Sequence, residues 1–239
     1  MAAAQLAADF TTARAHQNID GIERLDGIDE IRDRIRLLVR DVRDEVLALA
    51  PGGAQSEASM RAARPQDDAL LDRGVRMRTL YLDSVRNSPA TVTYAKWLTE
   101  RGGEVRTAPS LPVRLTIMDR RIAIVPVDDE NSSAGALVLT GTGTLTALCA
   151  LFDTIWMRAT PLGTPSRERD ADGLNSQERA ALLLLGQGLT DEAVAKRLGV
   201  SPRTARRIAA DLMELLGARS RFQAGCRAVA QGWLSGDLC

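Results

Sequence analysis

Three closely spaced helix-start signals in the last third of the chain constrain its fold more than any other feature. Asn175 is followed three residues later by Glu178, a capping-box arrangement in which the two side chains satisfy amide groups of a first helical turn. Thr190 and Ser201 precede two further helical segments, and Gly199 between them supplies a tight turn. A short helix, a glycine turn and a longer serine-capped helix are typical of a helix-turn-helix.

The third helix, expected to end at Leu216, carries a basic face. Residues spaced by three, four and seven share that face: Arg203, Arg206, Arg207 and Ala210. Another face carries apolar side chains that we expect to pack inward: Ile208, Leu212 and Leu215. Arginine can bond both acceptors of a guanine edge, alanine allows close approach, and the helix N-terminus attracts phosphate, so this face suits the major groove of DNA. A merely solvated basic face is the alternative interpretation.

Residues 174–239 resemble the C-terminal four-helix DNA-binding domain of LuxR/NarL/FixJ-type transcription regulators. The positions that match the pattern of that family are Leu174, Glu178, Leu182, Gly188, Val194, Ala195, Leu198, Ser201 and Thr204. The resemblance implies that Arg206 and Arg207 face bases and that Thr204 approaches the DNA backbone. Four positions depart from the family pattern: Ala193, Ala205, Ile208 and Leu215. We therefore expect the fold and DNA binding to be retained, but no operator sequence can be transferred from the family.

A fourth helix is expected over residues 219–232. In the resembled family this helix commonly forms a dimer contact, which Cys226, Val229 and Ala230 could line here. Burial of the same three side chains in the core of their own domain is an equally good interpretation.

Residues 161–173 are predicted to be a linker, because they combine two prolines, two glycines and several charges with almost nothing apolar. The chain then divides into a tail (1–20), an N-terminal domain (21–160) and a C-terminal domain (174–239). The net charge of the whole chain is zero, which argues against a globally basic nucleic-acid binder. Divided at Gly173, however, the two parts carry −3 and +3, and the C-terminal part is the basic one.

The N-terminal domain is predicted to be an α/β sandwich around one mixed sheet. Apolar spacing from Ile28 onward predicts a helix to about residue 45, followed by a polar helix broken at Pro65. Strand-like alternation follows in 74–82, and further predicted elements are a helix at 89–101, strands at 112–118, 122–127 and 135–140, and a helix at 145–157.

This order of elements is similar to half of a phospholipase D-like fold, the fold that also forms the effector domain of TrmB-like regulators. The resemblance implies a catalytic motif H-x-K-x-x-x-x-D, which here would fall on Pro112, Arg114 and Asp119. Proline cannot attack phosphorus, and nothing else in the sequence identifies a nucleophile, so we expect no enzyme activity. Asp119 is then either a remnant of that motif or simply a turn residue of a hairpin.

A weak effector or anion site is predicted in the N-terminal domain, because basic side chains lie in or beside its strands and a Gly-Thr repeat precedes its last helix. Its candidate residues are Arg76, Arg78, Arg114, Asp119 and Thr142. Surface positions for the arginines and helix capping by Thr142 are the alternatives.

The function predicted from these features is sequence-specific binding of promoter DNA by a homodimer, with an unknown small molecule or protein as effector. Ser201 and Thr204 would then hold the third helix on the DNA backbone, and Arg203 would assist Arg206 and Arg207. A phosphodiesterase and a helix-turn-helix that binds protein are the rival hypotheses. The sequence has three scattered cysteines, one histidine (His16) and no long apolar run, so we expect a cytoplasmic protein without metal, cofactor or membrane segment.

Overall fold

The computed structural model describes residues 21–54, 56–129, 131–164 and 169–235. The predicted tail over residues 1–20, with His16, lies outside the described residues, as does Cys239.

The described residues of the N-terminal part form one eight-stranded mixed sheet. Its strands are β1 (Ile22–Asp26), β2 (Glu45–Ala50), β3 (Arg76–Leu82), β4 (Glu104–Ala108), β5 (Leu115–Met118), β6 (Ile122–Pro126), β7 (Gly135–Leu139) and β8 (Thr160–Pro161). They are hydrogen-bonded in the order β1-β7-β6-β5-β2-β3-β4-β8. The central strands β2, β3 and β4 are parallel, and every other neighbouring pair is antiparallel.

Helices cover both faces of this sheet. On one face lie α1 (Gly27–Asp41), α2 (Glu57–Asp72) and α3 (Pro89–Glu100). Their buried side chains share one apolar cluster with the strands, including Leu38, Met60, Leu70, Tyr94 and Leu98. On the other face α4 (Thr142–Arg158) buries Leu145, Cys149, Phe152 and Trp156. This arrangement confirms the predicted α/β class, with its mixed sheet between helices.

Four helices form the C-terminal part: α5 (Ser176–Gly186), α6 (Asp191–Leu198), α7 (Pro202–Leu215) and α8 (Arg221–Ala230). They surround a separate apolar cluster drawn from residues between 174 and 234. The predicted capping box is present, since Asn175 Oδ1 accepts the amide of Glu178 at 2.8 Å and the Glu178 carboxylate accepts the amide of Asn175 at 2.9 Å. The all-α helix-turn-helix fold predicted for this part is confirmed.

The boundary between the first helix and the strand after it differs from the prediction. The helix ends at Asp41, and the next residue, Val42, already has an extended backbone. The helix thus ends about four residues earlier than predicted, and Val46 and Leu49, which share its apolar spacing, lie in β2, a strand that was not predicted. Five of the six residues of β2 are buried, so the strand has no polar alternation that would distinguish it from a helix face in the sequence.

Three further expectations need correction. The helix around Pro65 is continuous, because α2 runs from Glu57 to Asp72 with the proline inside it. Leu215, expected to pack inward, has 49% of its surface exposed, and Leu216 is buried instead. The predicted linker begins inside the sheet, since Pro161 belongs to β8 and pairs with Arg106 of β4.

Candidate DNA-binding surface

The N-terminus of α7 is fixed by local hydrogen bonds. The Ser201 hydroxyl accepts the amide of Thr204 at 3.1 Å, and the hydroxyls of the same two residues lie 2.9 Å apart. Pro202 occupies the first helical position, where its missing N–H is not needed. These residues cap the helix, and the N–H groups of its first turn are directed toward its N-terminal end.

The two sides of α7 differ sharply. Its inner side packs into the C-terminal apolar cluster through four buried residues: Ala205, Ile208, Ala209 and Leu212. Its outer side exposes the four residues that were predicted to share a face: Arg203, Arg206, Arg207 and Ala210. The helix therefore presents three guanidinium groups and a small side chain on one accessible surface.

The arginines of this outer face make only exposed ion pairs. Arg206 Nη2 lies 2.8 Å from Glu192 Oε1 of α6, and Arg207 Nη1 lies 3.0 Å from Asp211 Oδ2 one turn further along α7. The hydrogen bond from Arg206 holds the pKa of the Glu192 carboxyl below its usual value. Solvent-exposed pairs of this kind contribute little, so a phosphate or a base edge can replace the carboxylate at small cost. The sequence interpretation missed Glu192, whose position opposite Arg206 depends on how α6 packs on α7.

The exposed side of α8 carries an apolar stripe. Phe222 has 84% of its surface exposed, and Cys226 and Ala230 are exposed one and two turns further along. Val229 is half-buried and packs against the C-terminal cluster. Of the three residues considered for a dimer contact, Cys226 and Ala230 thus face outward, whereas Val229 is shared with the core.

The turn between α6 and α7 contacts the N-terminal sheet. Gly199 is so close that a Cβ placed on it would lie 2.6 Å from Leu82 Cδ1, 2.8 Å from Ser84 Oγ and 3.1 Å from Gly53 Cα. Two hydrogen bonds flank this contact: Arg197 Nη1 donates to the Pro112 carbonyl at 2.7 Å, and Ser176 Oγ to Asp83 Oδ2 at 3.1 Å. The helix-turn-helix is therefore docked on the edge where the parallel strands end.

The residues of the weak effector prediction do not share one site. Arg76 and Arg78 both lie beside the buried carboxylate of Glu45, at 3.5 and 3.0 Å. Arg78 also stacks over the Phe152 ring at 5.4 Å. These two arginines are therefore used to neutralise an acidic side chain within the fold.

Asp119 lies in the turn between β5 and β6, where its carboxylate accepts the amides of Arg43, Asp44 and Glu45 at 2.8 to 2.9 Å. Burial alone would raise the pKa of Asp119, but the three backbone hydrogen bonds outweigh it and the pKa is lowered. The residue thus serves as an anchor at the beginning of β2, consistent with the turn interpretation.

Arg114 lies at the other end of β5 from Asp119, at the carboxyl edge of the central strands. Thr142 is the exposed first residue of α4, where Gly141 and not a threonine is the N-cap. Arg114, Asp119 and Thr142 therefore stand in three separate surroundings, and only Arg114 lines a cavity of appreciable size.

Among the described residues, no group of three or more His, Cys, Asp or Glu side chains is arranged to hold a metal ion. None of the helices in the described ranges is long and apolar enough to cross a membrane.

Comparison with known proteins places these features among regulators. The homeodomain-like domain family matches residues 174–218, the segment that holds α5, α6 and α7. The bialaphos biosynthetic pathway regulatory protein of Streptomyces hygroscopicus is 35% identical over 191 residues, which are 80% of this chain and 74% of that protein.

Solved structures similar to this chain are more distant. The archaeal chromatin protein TrmBL2 is 12% identical over 66% of this chain and 65% of its own, with a TM-score of 0.45. Nuc, a phospholipase D family member of Salmonella typhimurium, is 12% identical over 59% of this chain and 96% of its own, with a TM-score of 0.48. The LuxR-type receptor VqmA of Vibrio cholerae is 17% identical over 61% and 65% of the two chains, with a TM-score of 0.26.

Proposed function

The chain belongs to the family of the Streptomyces hygroscopicus bialaphos regulatory protein, and from that membership we propose that it is a DNA-binding transcriptional regulator. The observation that carries the proposal is the outer face of α7, where Arg203, Arg206 and Arg207 are exposed on a helix that is capped at its N-terminus. A basic helix of this kind enters the major groove of DNA.

In this proposal some residues of α7 contact bases and others contact phosphates. Arg206 and Arg207 reach base edges, where each can form two hydrogen bonds to a guanine. Arg203, one turn nearer the helix N-terminus, contacts phosphate, and so do Ser201 and Thr204. Ala210 allows the helix to approach the bases closely. The part of the chain after residue 173 has a net charge of only +3, so affinity for non-specific DNA is expected to be weak.

Weak non-specific binding favours a dimer, because two copies of α7 in successive major grooves about one helical turn apart combine their contacts. We place the dimer contact on the apolar stripe of α8 formed by Phe222, Cys226 and Ala230. Phe222 leaves 84% of its surface exposed, and a two-fold axis beside it would remove both copies of this apolar surface from water at once.

No phosphodiesterase activity is proposed. Position 112, where the resemblance would require a histidine, is a proline. Asp119, the last position of the motif, has its carboxylate occupied by three backbone amides at the start of β2.

The test is a binding assay with fragments of the source genome at moderate salt, followed by sequencing of the bound fraction. We expect recovery of a small set of promoter fragments that share two half-sites about 10 base pairs apart. Equal retention of all fragments, or of none, would contradict sequence-specific recognition.

The dimer is tested separately with Phe222→Glu, which places two like charges at the proposed contact. We expect a monomer in sedimentation velocity and a large loss of affinity for the two-half-site fragment. Leu37→Glu, at a similarly exposed apolar residue of α1, is the matched control and should leave the dimer intact. A Phe222→Glu protein that sediments like the unmodified protein would place the contact elsewhere.

A further inference from the structure

A cavity of about 780 Å³ lies between the docked helix-turn-helix and the sheet. Its floor is formed by the segment after β2 (51–54) and the segment that leads into β5 (111–114). The opposite wall comes from α6 and the turn after it, including Ala193, Arg197 and Val200. In α/β sheets the crevice outside the carboxyl ends of parallel strands is where ligands bind, and the volume is that of a small-molecule site.

The charged side chains that line this cavity are mostly basic. Arg114 belongs to the floor, and Lys196 and Arg197 to the α6 wall, whereas Asp129 is the single acidic residue among the lining side chains of the described chain. A cleft lined mainly by one sign of charge attracts the opposite sign. The lining therefore favours an anion.

Arg114 is the residue of this group that most clearly lacks a counter-charge. Its guanidinium is partly buried, and among the described residues it has no carboxylate within ion-pairing distance. Burial accordingly lowers the pKa of Arg114, because the charged form is desolvated without a counter-charge. The chain also makes room for it, since a Cβ on Gly52 would come within 2.7 Å of Arg114 Nη2.

Arg197 faces the same cavity from the other domain. Its Nη1 donates to the Pro112 carbonyl at 2.7 Å, so the guanidinium is held beside the segment that carries Arg114. Arginine binds phosphate or carboxylate oxygens with two parallel hydrogen bonds, and Nη1 is only one of its donor groups. The remaining lining includes Pro51, Leu111, Val113 and Leu189, which suit an apolar ligand body.

We propose that this inter-domain cavity binds a small organic oxyanion, held by Arg114 from the sheet and Arg197 from α6, and that the bound anion keeps the helix-turn-helix docked. The inference names a chemical class for the effector that the proposed function leaves open. It stands on the cavity itself, so it can be tested in the absence of DNA.

The experiment is thermal unfolding of the full chain in pyrophosphate and, as a separate arm, in citrate, each against sodium chloride at equal ionic strength. At about tenfold excess over Kd we expect Tm to rise by about 3 °C in at least one arm. A rise in pyrophosphate alone identifies phosphate as the recognised group, and a rise in citrate alone identifies carboxylate. No rise in either arm overturns the proposal.

Variants locate the site. Arg114→Gln and Arg197→Gln should each abolish the rise in Tm, whereas Arg203→Gln, on the outer face of α7, should keep it. If Arg114→Gln does not fold, Arg197→Gln, an exposed position, carries the test alone. A rise that survives Arg197→Gln, or that disappears equally in Arg203→Gln, would show that the anion binds elsewhere. DNA binding by the same variants is measured separately, so failure of either proposal is recognised by itself.

Discussion

Arg206 is the residue on which specific recognition depends most in the proposed function. Its guanidinium is exposed on α7 and its partner, Glu192, is equally exposed, so little is lost when DNA replaces the carboxylate. We expect Arg206→Ala to weaken binding to the cognate fragment by about 1 to 3 kcal/mol and to relax the preference at one base position. Fluorescence anisotropy with cognate and scrambled duplexes measures both effects.

Arg219→Ala, which removes an arginine outside the outer face of α7, is the matched control for this measurement. If Arg206→Ala weakened cognate and scrambled DNA equally, Arg206 would contact only phosphate, and base recognition would have to be assigned to Arg207.

Asp119 is expected to contribute to stability, because its carboxylate accepts three backbone amides at the start of β2. Asn tolerates the left-handed backbone found here, at φ 51°, but loses the charge and one acceptor. We expect Asp119→Asn to lower the free energy of unfolding at pH 7 by about 1 to 2 kcal/mol. Chemical denaturation at several pH values measures the difference.

The pH dependence of that difference has a definite sign. Since the pKa of Asp119 is lowered in the folded state, its stabilising effect is complete above the unfolded pKa of ~3.9 and is lost as the pH falls through the folded value. The difference in the free energy of unfolding between the unmodified protein and Asp119→Asn should therefore narrow below about pH 4. A gap that stayed constant down to the acid transition would mean that the charge of Asp119 is not what stabilises the turn.

At the level of elements, one buried carboxylate joins β2, β3, α4 and the β5–β6 turn. The side chain of Glu45 is 4% exposed, and it contacts Arg120 at 2.6 Å as well as Arg78. Both arginines also reach Asp153 of α4, at 3.0 and 3.6 Å. The network attaches the helix on one face of the sheet to the beginning of its central strands.

We expect Glu45→Gln to destabilise the protein by about 3 kcal/mol, because it removes the nearer and more buried of the two counter-charges of the largely buried Arg78. Arg76→Gln is the control, since its side chain is 70% exposed and an exposed pair contributes about 0 to 1 kcal/mol. Urea denaturation of the two variants measures the contrast. Equal losses would indicate that the network acts through long-range charge rather than through burial.

The elements differ in how far the sequence predicts them. The helices from α5 to α7 were predictable because Asn175, Thr190 and Ser201 are local signals that act within one turn. The end of α1 was not predictable, because the apolar spacing of the helix continues through Val46 and Leu49. These two residues lie in a buried strand, β2, which pairs with β3 and β5. The strands β1 and β4 were missed because only two of the five side chains in each are apolar, and the others are charged or polar.

The candidate sites show the same division. The outer face of α7 follows from helical spacing, which is local. The separation of Arg114 from Asp119, and the pairing of Arg78 with Glu45, depend on the direction and order of strands, which no short-range pattern contains. Glu45 stands directly before the apolar run of β2, and this buried-strand setting is the one sequence signal by which it could have been noticed.

At the scale of the whole molecule, the position of the DNA-reading domain depends on a close contact between backbones. Gly199 has φ +62°, and a side chain there would collide with Leu82 and Ser84. Gly199→Asn keeps the turn possible, since Asn tolerates this conformation, but it should prevent docking. We expect an increase in the radius of gyration measured by small-angle X-ray scattering, with little change in helix content.

Gly188→Asn is the matched control, because Gly188 also has a positive φ, of +83°, but its Cβ would meet nothing within 4 Å. It should leave the radius of gyration unchanged. If both variants expanded the molecule alike, the turn conformation and not the contact with the sheet would be responsible.

The contact between Gly53 and Gly199 also limits how the two halves of this protein can be recombined. A Cβ on Gly53 would lie 3.2 Å from the Gly199 carbonyl oxygen. The close approach of the two domains therefore requires a residue without a side chain at both positions. A chimaera that received its helix-turn-helix from another regulator would need glycine at the same turn to dock on this sheet. The two domains have separate cores but are thus not freely exchangeable, and a side chain at either glycine is expected to weaken docking.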